Sequence, residues 1–234
     1  MLTNELIYDW NTIGESNKPN HPIEFDDETL RDGLQSPSVI DPPIEKKIEL
    51  LHLMDNLGID TADIGLPGAG PRARQDVLHL AAEIANNRMK IRPNCAARTV
   101  RADIQPIIDI SQEIGIAIEA CTFIGSSSIR QYAEDWTLEK MLQATEDAVR
   151  FATEHNLPVM YVTEDTTRAR PDTLRKLYKT AIECGAKRVC ISDTVGHATP
   201  KGTAELVKFI KQIIVETGED VKIDWHGHQD LSCL

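Results

Sequence analysis

The sequence predicts an α/β protein, a parallel (β/α)8 barrel truncated after about its seventh strand. Three observations predict it. Short apolar runs alternate with longer amphipathic stretches seven times, at a spacing of roughly 30 residues, which is the pattern of parallel βαβ units. The first turn after a strand, RDGLQSPS from Arg31, lacks both GxGxxG and the P-loop signature, so the usual cradles of a doubly wound nucleotide-binding sheet are missing. Polar residues gather at the C-terminal ends of the predicted strands, and in a barrel those ends converge on one mouth.

The elements follow in order. Residues 1–22 form an N-terminal arm, and residues 23–234 an incomplete barrel with no linker long enough to divide it. The predicted strands are IEFDDETL from Ile23, TADIGL from Thr61, KIRPNCA from Lys90, IAIEACTF from Ile116, PVMYVTED from Pro158, RVCISDTV from Arg188 and KIDWHGH from Lys222. Between them lie helical segments at 43–58, 73–87, 101–115, 135–156, 171–185 and 199–218. Several open on Asp, Thr or Pro and close on Gly or Asn, as capping requires. The glycines of GLPGAGP, residues 65–71, read as a tight turn.

Composition narrows the function. The 234 residues carry 37 acidic and 25 basic side chains, a net charge of −12 that repels nucleic acid and anionic membranes and favours a small-molecule role. The opening MLTNELIYDWNTIGESNKPNHP is not a signal peptide, and no run approaches the ~20 apolar residues of a membrane span. A cytoplasmic protein is expected, without nucleic acid or membrane partners. The five cysteines are an odd number without CxxC spacing, which argues for free thiols rather than disulfides or structural zinc.

The candidate site is built from strand ends. In DWHGHQD, His226 and His228 share one face of a strand, about 6.6 Å apart, a spacing at which both can chelate one ion. An isolated HxH is more often a polar strand end, so a carboxylate must join it. Asp32 is the best candidate, because strand seven of a closed barrel lies two positions from strand one. Asp230 sits past the strand and is placed to orient an imidazole instead. Two imidazoles and a carboxylate suit a borderline divalent ion such as Mn²⁺, Zn²⁺, Co²⁺ or Fe²⁺ better than Mg²⁺. Arg31, beside Asp32, can set a fixed positive fork over a developing oxyanion. Glu164 reads equally as a helix N-terminal carboxylate, and Asp193 with Thr194 as caps of the helix near Thr199. His21, His52, His79, His155 and His197 read as structural or solvated.

Four stretches, FDDETLRDGLQ, VTEDTTRARPDTL, SDTVGHATP and WHGHQD, together resemble the metal-dependent acyl-CoA barrels of the TIM-barrel type that include 2-isopropylmalate synthase, homocitrate synthase, citramalate synthase and 3-hydroxy-3-methylglutaryl-CoA lyase. The match covers essentially all of residues 2–234, and the early LIYDWN is similar to the synthase branch. The resemblance implies Asp32, His226 and His228 as ligands of a divalent metal ion (Mn, Zn, Mg or Co). It implies that Arg31 stabilises the enolate of the acyl-CoA, that Glu164 helps to hold Arg31 and the catalytic water, and that Thr194 hydrogen-bonds a 2-keto acid. The implied reaction is a Claisen-type condensation of acetyl-CoA with that keto acid, of the leucine-biosynthesis type, in a homodimer or larger assembly.

The sequence also departs from the family pattern. Synthases commonly read DTTLRDGEQ where this chain has DETLRDGLQ, and Leu34 matches the RDGLQ of the lyase. CTFIGSSS stands in place of HTFIATSP, which puts Cys121 where a substrate-contacting histidine is usual. GLPGAG replaces GFPAAS. The sequence stops six residues after His228, so the eighth strand and the GERxGN segment that synthases place around the acyl-CoA are missing. Open edges at strands one and seven are therefore expected. A carbon–carbon lyase and a catalytically inactive remnant or interaction module stand as the alternatives.

Overall fold

The computed structural model describes residues 22–228, and the arm up to His21, Asp230 and Cys233 lie outside them. One parallel sheet runs through the chain in sequence order. Its strands are β1 Asp26–Asp27, β2 Thr61–Asp63, β3 Arg92–Arg98, β4 Glu119–Gly125, β5 Val159–Glu164, β6 Arg188–Asp193 and β7 Lys222–Gly227. The helices are α1 Ile44–Leu57, α2 Pro71–Asn87, α3 Arg101–Ile114, α4 Ser128–Glu134, α5 Leu138–Glu154, α6 Pro171–Glu183 and α7 Pro200–Thr217. This is the expected (β/α) barrel, open after seven strands. None of the described helices is long and apolar enough to cross a membrane.

Side chains alternate across the strands and separate two apolar environments. Ala120, Val159, Tyr161, Val189 and Ile191 face the helices in one large core. Their neighbours Cys121, Met160 and Cys190 form a small cluster of their own with Val162, on the barrel side. Tyr161 and Tyr178 are fully buried, and each satisfies its hydroxyl on a threonine, Thr145 and Thr163, at 2.7 Å. Burial of that kind costs little because the polar tip keeps a partner.

Several elements are shorter than or shifted from the sequence expectation, β2 and β4 among them, and three show a local cause. β1 spans two residues rather than eight, because Asp27 Oδ1 accepts from the Thr29 amide at 2.8 Å and the Glu28 carbonyl accepts from the amides of Arg31 and Gly33. An aspartate turn of this type competes with the sheet ladder and stops the strand. Arg31 and Asp32 therefore sit on a coiled turn beyond β1 rather than at its end. The segment expected as one helix from residue 135 is preceded by α4, capped by Ser127, and α5 starts only after Thr137 caps it. β3 begins two residues late, since Asp55 Oδ1 takes the amides of Lys90 and Ile91.

Among the described residues, nothing hydrogen-bonds the outer sides of β1 and β7, the open edges that the sequence predicts. Side chains span the gap instead. Glu24, which also holds Arg92 of β3, receives Lys222 of β7 at 2.9 Å on the floor, and Glu28 approaches His226 at 3.4 Å near the mouth. Phe25, just before β1, and Leu53 and Leu57 on α1 are exposed.

Candidate active site at the barrel mouth

The turn that ends β1 delivers Arg31 and Asp32 into the barrel, and the last strand delivers His226 and His228. Asp32 Oδ2 lies 3.6 Å from His226 Nε2 and 3.4 Å from His228 Nε2, and the two Nε2 atoms are 3.0 Å apart. The His228 amide donates to the Asp193 carbonyl, so the chain continues alongside β6 and keeps both rings on one side. These three side chains are the single group among the described residues with donors converging closely enough to hold a metal ion. Donors about 3.0–3.6 Å apart match neighbouring positions around one ion with bonds of about 2.0–2.2 Å, and the N,N,O set suits a borderline divalent metal. The residues present fit such an ion.

Arg31 is clamped by three carboxylates. Its Nε donates to Asp63 Oδ2 at 3.1 Å, Nη1 to Asp32 Oδ1 at 3.0 Å and Nη2 to Glu28 Oε2 at 2.5 Å. Asp63 is fully buried, and burial pushes its carboxyl well up, with Glu28 adding to the rise and Arg31 opposing it. Burial alone also pushes Glu28 up, but the His226 imidazole and the Arg31 guanidinium outweigh it and hold Glu28 below the ordinary carboxylate range. The Glu28 contact raises the His226 imidazole in turn, against the effect of burial. Asp32 thus gives one oxygen to Arg31 and turns the other toward the histidines.

A cavity of about 320 Å³ opens above this cluster, and Thr194, Glu164 and Cys121 line it together with Arg31, Asp32 and both histidines. Thr194 Oγ1 accepts from the Asp165 amide at 2.8 Å, which leaves its own hydrogen free to donate. The sequence expectation that Asp193 and Thr194 cap α7 is corrected. Thr199 Oγ1 caps it through the Gly202 amide, while Asp193 takes the amides of His197 and Ala198 and shapes the loop before it. Cys121 lies on the apolar cavity wall, where burial pushes the thiol well up and keeps it neutral.

Glu164 does not meet Arg31 as expected. It pairs at 3.4 Å with Arg130 of α4, an element missing from the sequence reading, while Glu28 and Asp63 hold Arg31. Gly125 makes room for this arginine: a Cβ there would stand 2.7 Å from Arg130 Nε. Burial pushes the Glu164 carboxyl up, and Arg130 and then Arg31 draw it back. Three of the other histidines have local partners, while His197 engages Asp193 through its backbone amide. His52 meets Glu83, His79 meets Gln75, and His155 meets the Phe151 carbonyl.

Glu28, Asp63 and Arg130 were not singled out by sequence. Glu28 carried a signal, since it shares the inward parity of Asp26 and precedes Arg31 by three. Asp63 carried a weaker one, a carboxylate inside the otherwise apolar strand TADIGL.

A parallel barrel whose mouth gathers two imidazoles, a carboxylate and a clamped arginine has its polar groups where barrel enzymes keep their chemistry. The chain belongs to the HMGL-like family, whose model matches residues 22–234. It is 34% identical over 220 residues to a homocitrate synthase, AksA, of Methanopyrus kandleri, covering 94% of this chain and 51% of that protein. It is 34% identical over 210 residues to the 2-isopropylmalate synthase of Sulfolobus acidocaldarius, covering 89% and 51%. The chain spans about half the length of these curated relatives. Among solved structures, the hydroxymethylglutaryl-CoA lyase of Pseudomonas aeruginosa superposes with a TM-score of 0.70 at 18% identity, over 88% of this chain and 68% of that one, which shows the shared fold. The family is one of synthases and lyases, enzymes that generally depend on a divalent metal ion.

Proposed function

We propose that this barrel serves a metal-dependent acyltransferase similar to 2-isopropylmalate synthase, which condenses acetyl-CoA with a 2-keto acid in the manner of leucine biosynthesis. The observation that carries the reading is the convergence of Asp32, His226 and His228 beside a clamped Arg31 in one cavity. The synthase identities of the curated relatives support it.

Asp32, His226 and His228 would hold the ion. When bound, a divalent ion supplies Lewis acidity that makes a keto-acid carbonyl more electrophilic. Arg31 lines the cavity with its guanidinium fixed by three carboxylates, and the N–H groups they leave unused would meet the charge developing on the enolate oxygen of acetyl-CoA without reorganisation. Thr194 offers its free hydroxyl hydrogen to the keto-acid carboxylate. Glu164, on the cavity wall, is the carboxylate available to hold a water or accept a proton there. Cys121 contributes neutral apolar surface beside the keto-acid side chain.

The test is to incubate the chain with Mn²⁺, acetyl-CoA and 2-ketoisovalerate and to measure free thiol, with Asp32→Ala as control. Thiol release that Asp32→Ala abolishes is the expected result. Cleavage of hydroxymethylglutaryl-CoA without thiol release from acetyl-CoA would assign the barrel to the lyases instead.

A further inference from the structure

Glu28 lies in the stretch DETLRDGLQ, three residues before Arg31 and four before Asp32. The two oxygens of Glu28 go to different partners, Oε2 to Arg31 Nη2 at 2.5 Å and Oε1 toward His226 Nδ1 at 3.4 Å. A threonine hydroxyl, one bond from Cβ, is too short to bridge them.

We infer that Glu28 is a positioning residue for the metal site: held in place by Arg31, it fixes the ring orientation and tautomer of His226, so that Nε2 faces Asp32 and His228. An imidazole whose Nδ1–H is engaged presents its lone pair at Nε2, which is the ligating form. The Nε2 atoms of His226 and His228 lie 3.0 Å apart, and two imidazole nitrogens can ligate together only when neither carries a proton on the shared side; His226 is the ring with a carboxylate at its Nδ1. Because Arg31 holds Glu28 and Asp32 on two arms of one fork, the enolate-facing guanidinium and the ligand cluster move as one unit.

The inference rests on the reading of Asp32, His226 and His228 as ligands. It is tested by titrating the full chain with Co²⁺ and following the visible spectrum, which reports affinity and ligand geometry together, independently of turnover. Glu28→Thr is expected to weaken Co²⁺ binding ~10–100-fold, the range typical of a partner behind a metal ligand, and to change the spectrum. Glu28→Gln, whose single amide oxygen can accept from Nδ1–H or from Arg31 but not from both, is expected to fall between wild type and Glu28→Thr, a graded loss that a merely structural role would not produce. Wild-type affinity and spectrum in folded Glu28→Thr would overturn the inference while leaving the ligand set intact. Equal Co²⁺ binding by Asp32→Ala and wild type would instead overturn the ligand reading and this inference with it. Should Glu28→Thr fail to fold, imidazole ¹⁵N spectroscopy of the metal-free wild type decides: the Nδ1–H tautomer of His226 is required, and the Nε2–H tautomer refutes the inference.

Discussion

Asp32 Oδ2 lies 3.4 Å from His228 Nε2, which joins the turn after the first strand to the end of the last across an edge without backbone pairing. An ion held there would tie the two open ends of the sheet together, so its binding should appear as folding stability. Mn²⁺ at ~100 times its dissociation constant should stabilise the wild-type chain by about 2.7 kcal/mol, read as a rise in Tm. Asp32→Ala and His228→Ala should each remove that rise and lower Mn²⁺ affinity by more than the ~10–100-fold typical of outer partners. An unchanged rise in His228→Ala would take this residue out of the ligand set.

Gly125 and Arg130 should act as a unit. A Cβ at residue 125 would sit 2.7 Å from Arg130 Nε and 3.0 Å from its Cβ, so the side chain must swing away and release Glu164. Gly125→Ala and Arg130→Met should therefore raise the Glu164 pKa in the same direction, since both remove the guanidinium that draws the carboxyl down against burial, leaving Arg31 as the opposing cation and Asp165 and Glu134 as neighbours that push it up. The double variant should show little beyond either single change, a coupling expected of residues in direct contact. Carboxyl ¹³C titration of Glu164 reads this directly, and additive shifts would show that the two act independently.

Much of the fold was legible because the strands of a parallel barrel are covered on their outer faces and each helix carries one apolar face, which gives a strong alternating pattern. The metal candidates were legible for a related reason: period two puts His226 and His228 on one side, and barrel order places Asp32 near them. What was not legible depends on short polar contacts that override pattern. Asp27 ends β1 with its own side chain, so Arg31 leaves the sheet early and turns toward Glu28 and Asp63 instead of Glu164. Ser127 of SSSIRQYAE caps a seven-residue helix that is too short to show periodicity, and that helix brings Arg130 to Glu164.

Cys121 should be chemically silent. Burial pushes its thiol well up, and Cys95, Cys184 and Cys190 are likewise buried with raised thiols, so none presents a thiolate near neutral pH. Iodoacetamide at pH 8 should leave these four unlabelled in the native chain and label them in urea, as peptide mass mapping can read. Cys121→His, the residue usual at this place in the synthases, should cost about 1–3 kcal/mol in urea melts, because the ring must fit against Met160, Cys190 and Val162. Native labelling of Cys121 would contradict its assignment to the apolar wall.

Asp26, deeper in the barrel, gives the protein a pH dependence that can be isolated. Burial pushes its carboxyl from the ordinary 3.8 up to about 6, against the hydrogen bonds that it receives, including both oxygens taking Asn94 Nδ2 at 2.9 and 3.0 Å. The folded state therefore holds this proton more tightly than the unfolded chain does. The stabilisation is fully present below pH 3.8 and is lost as pH rises through 6, a difference of about 3 kcal/mol. Asp26→Asn cannot titrate, and its amide has a ready acceptor, because Asn94 Oδ1 is buried without a partner and a flip of the Asn94 amide presents it. Relative to wild type, Asp26→Asn should gain stability steadily between about pH 4 and pH 7 and level off above. Taking the difference between two urea series cancels the carboxylates remote from Asp26 and leaves Asp26 with its charged neighbours Glu28, Asp63, Glu119 and Asp224, so two parallel stability curves would show that Asp26 is not the group responsible.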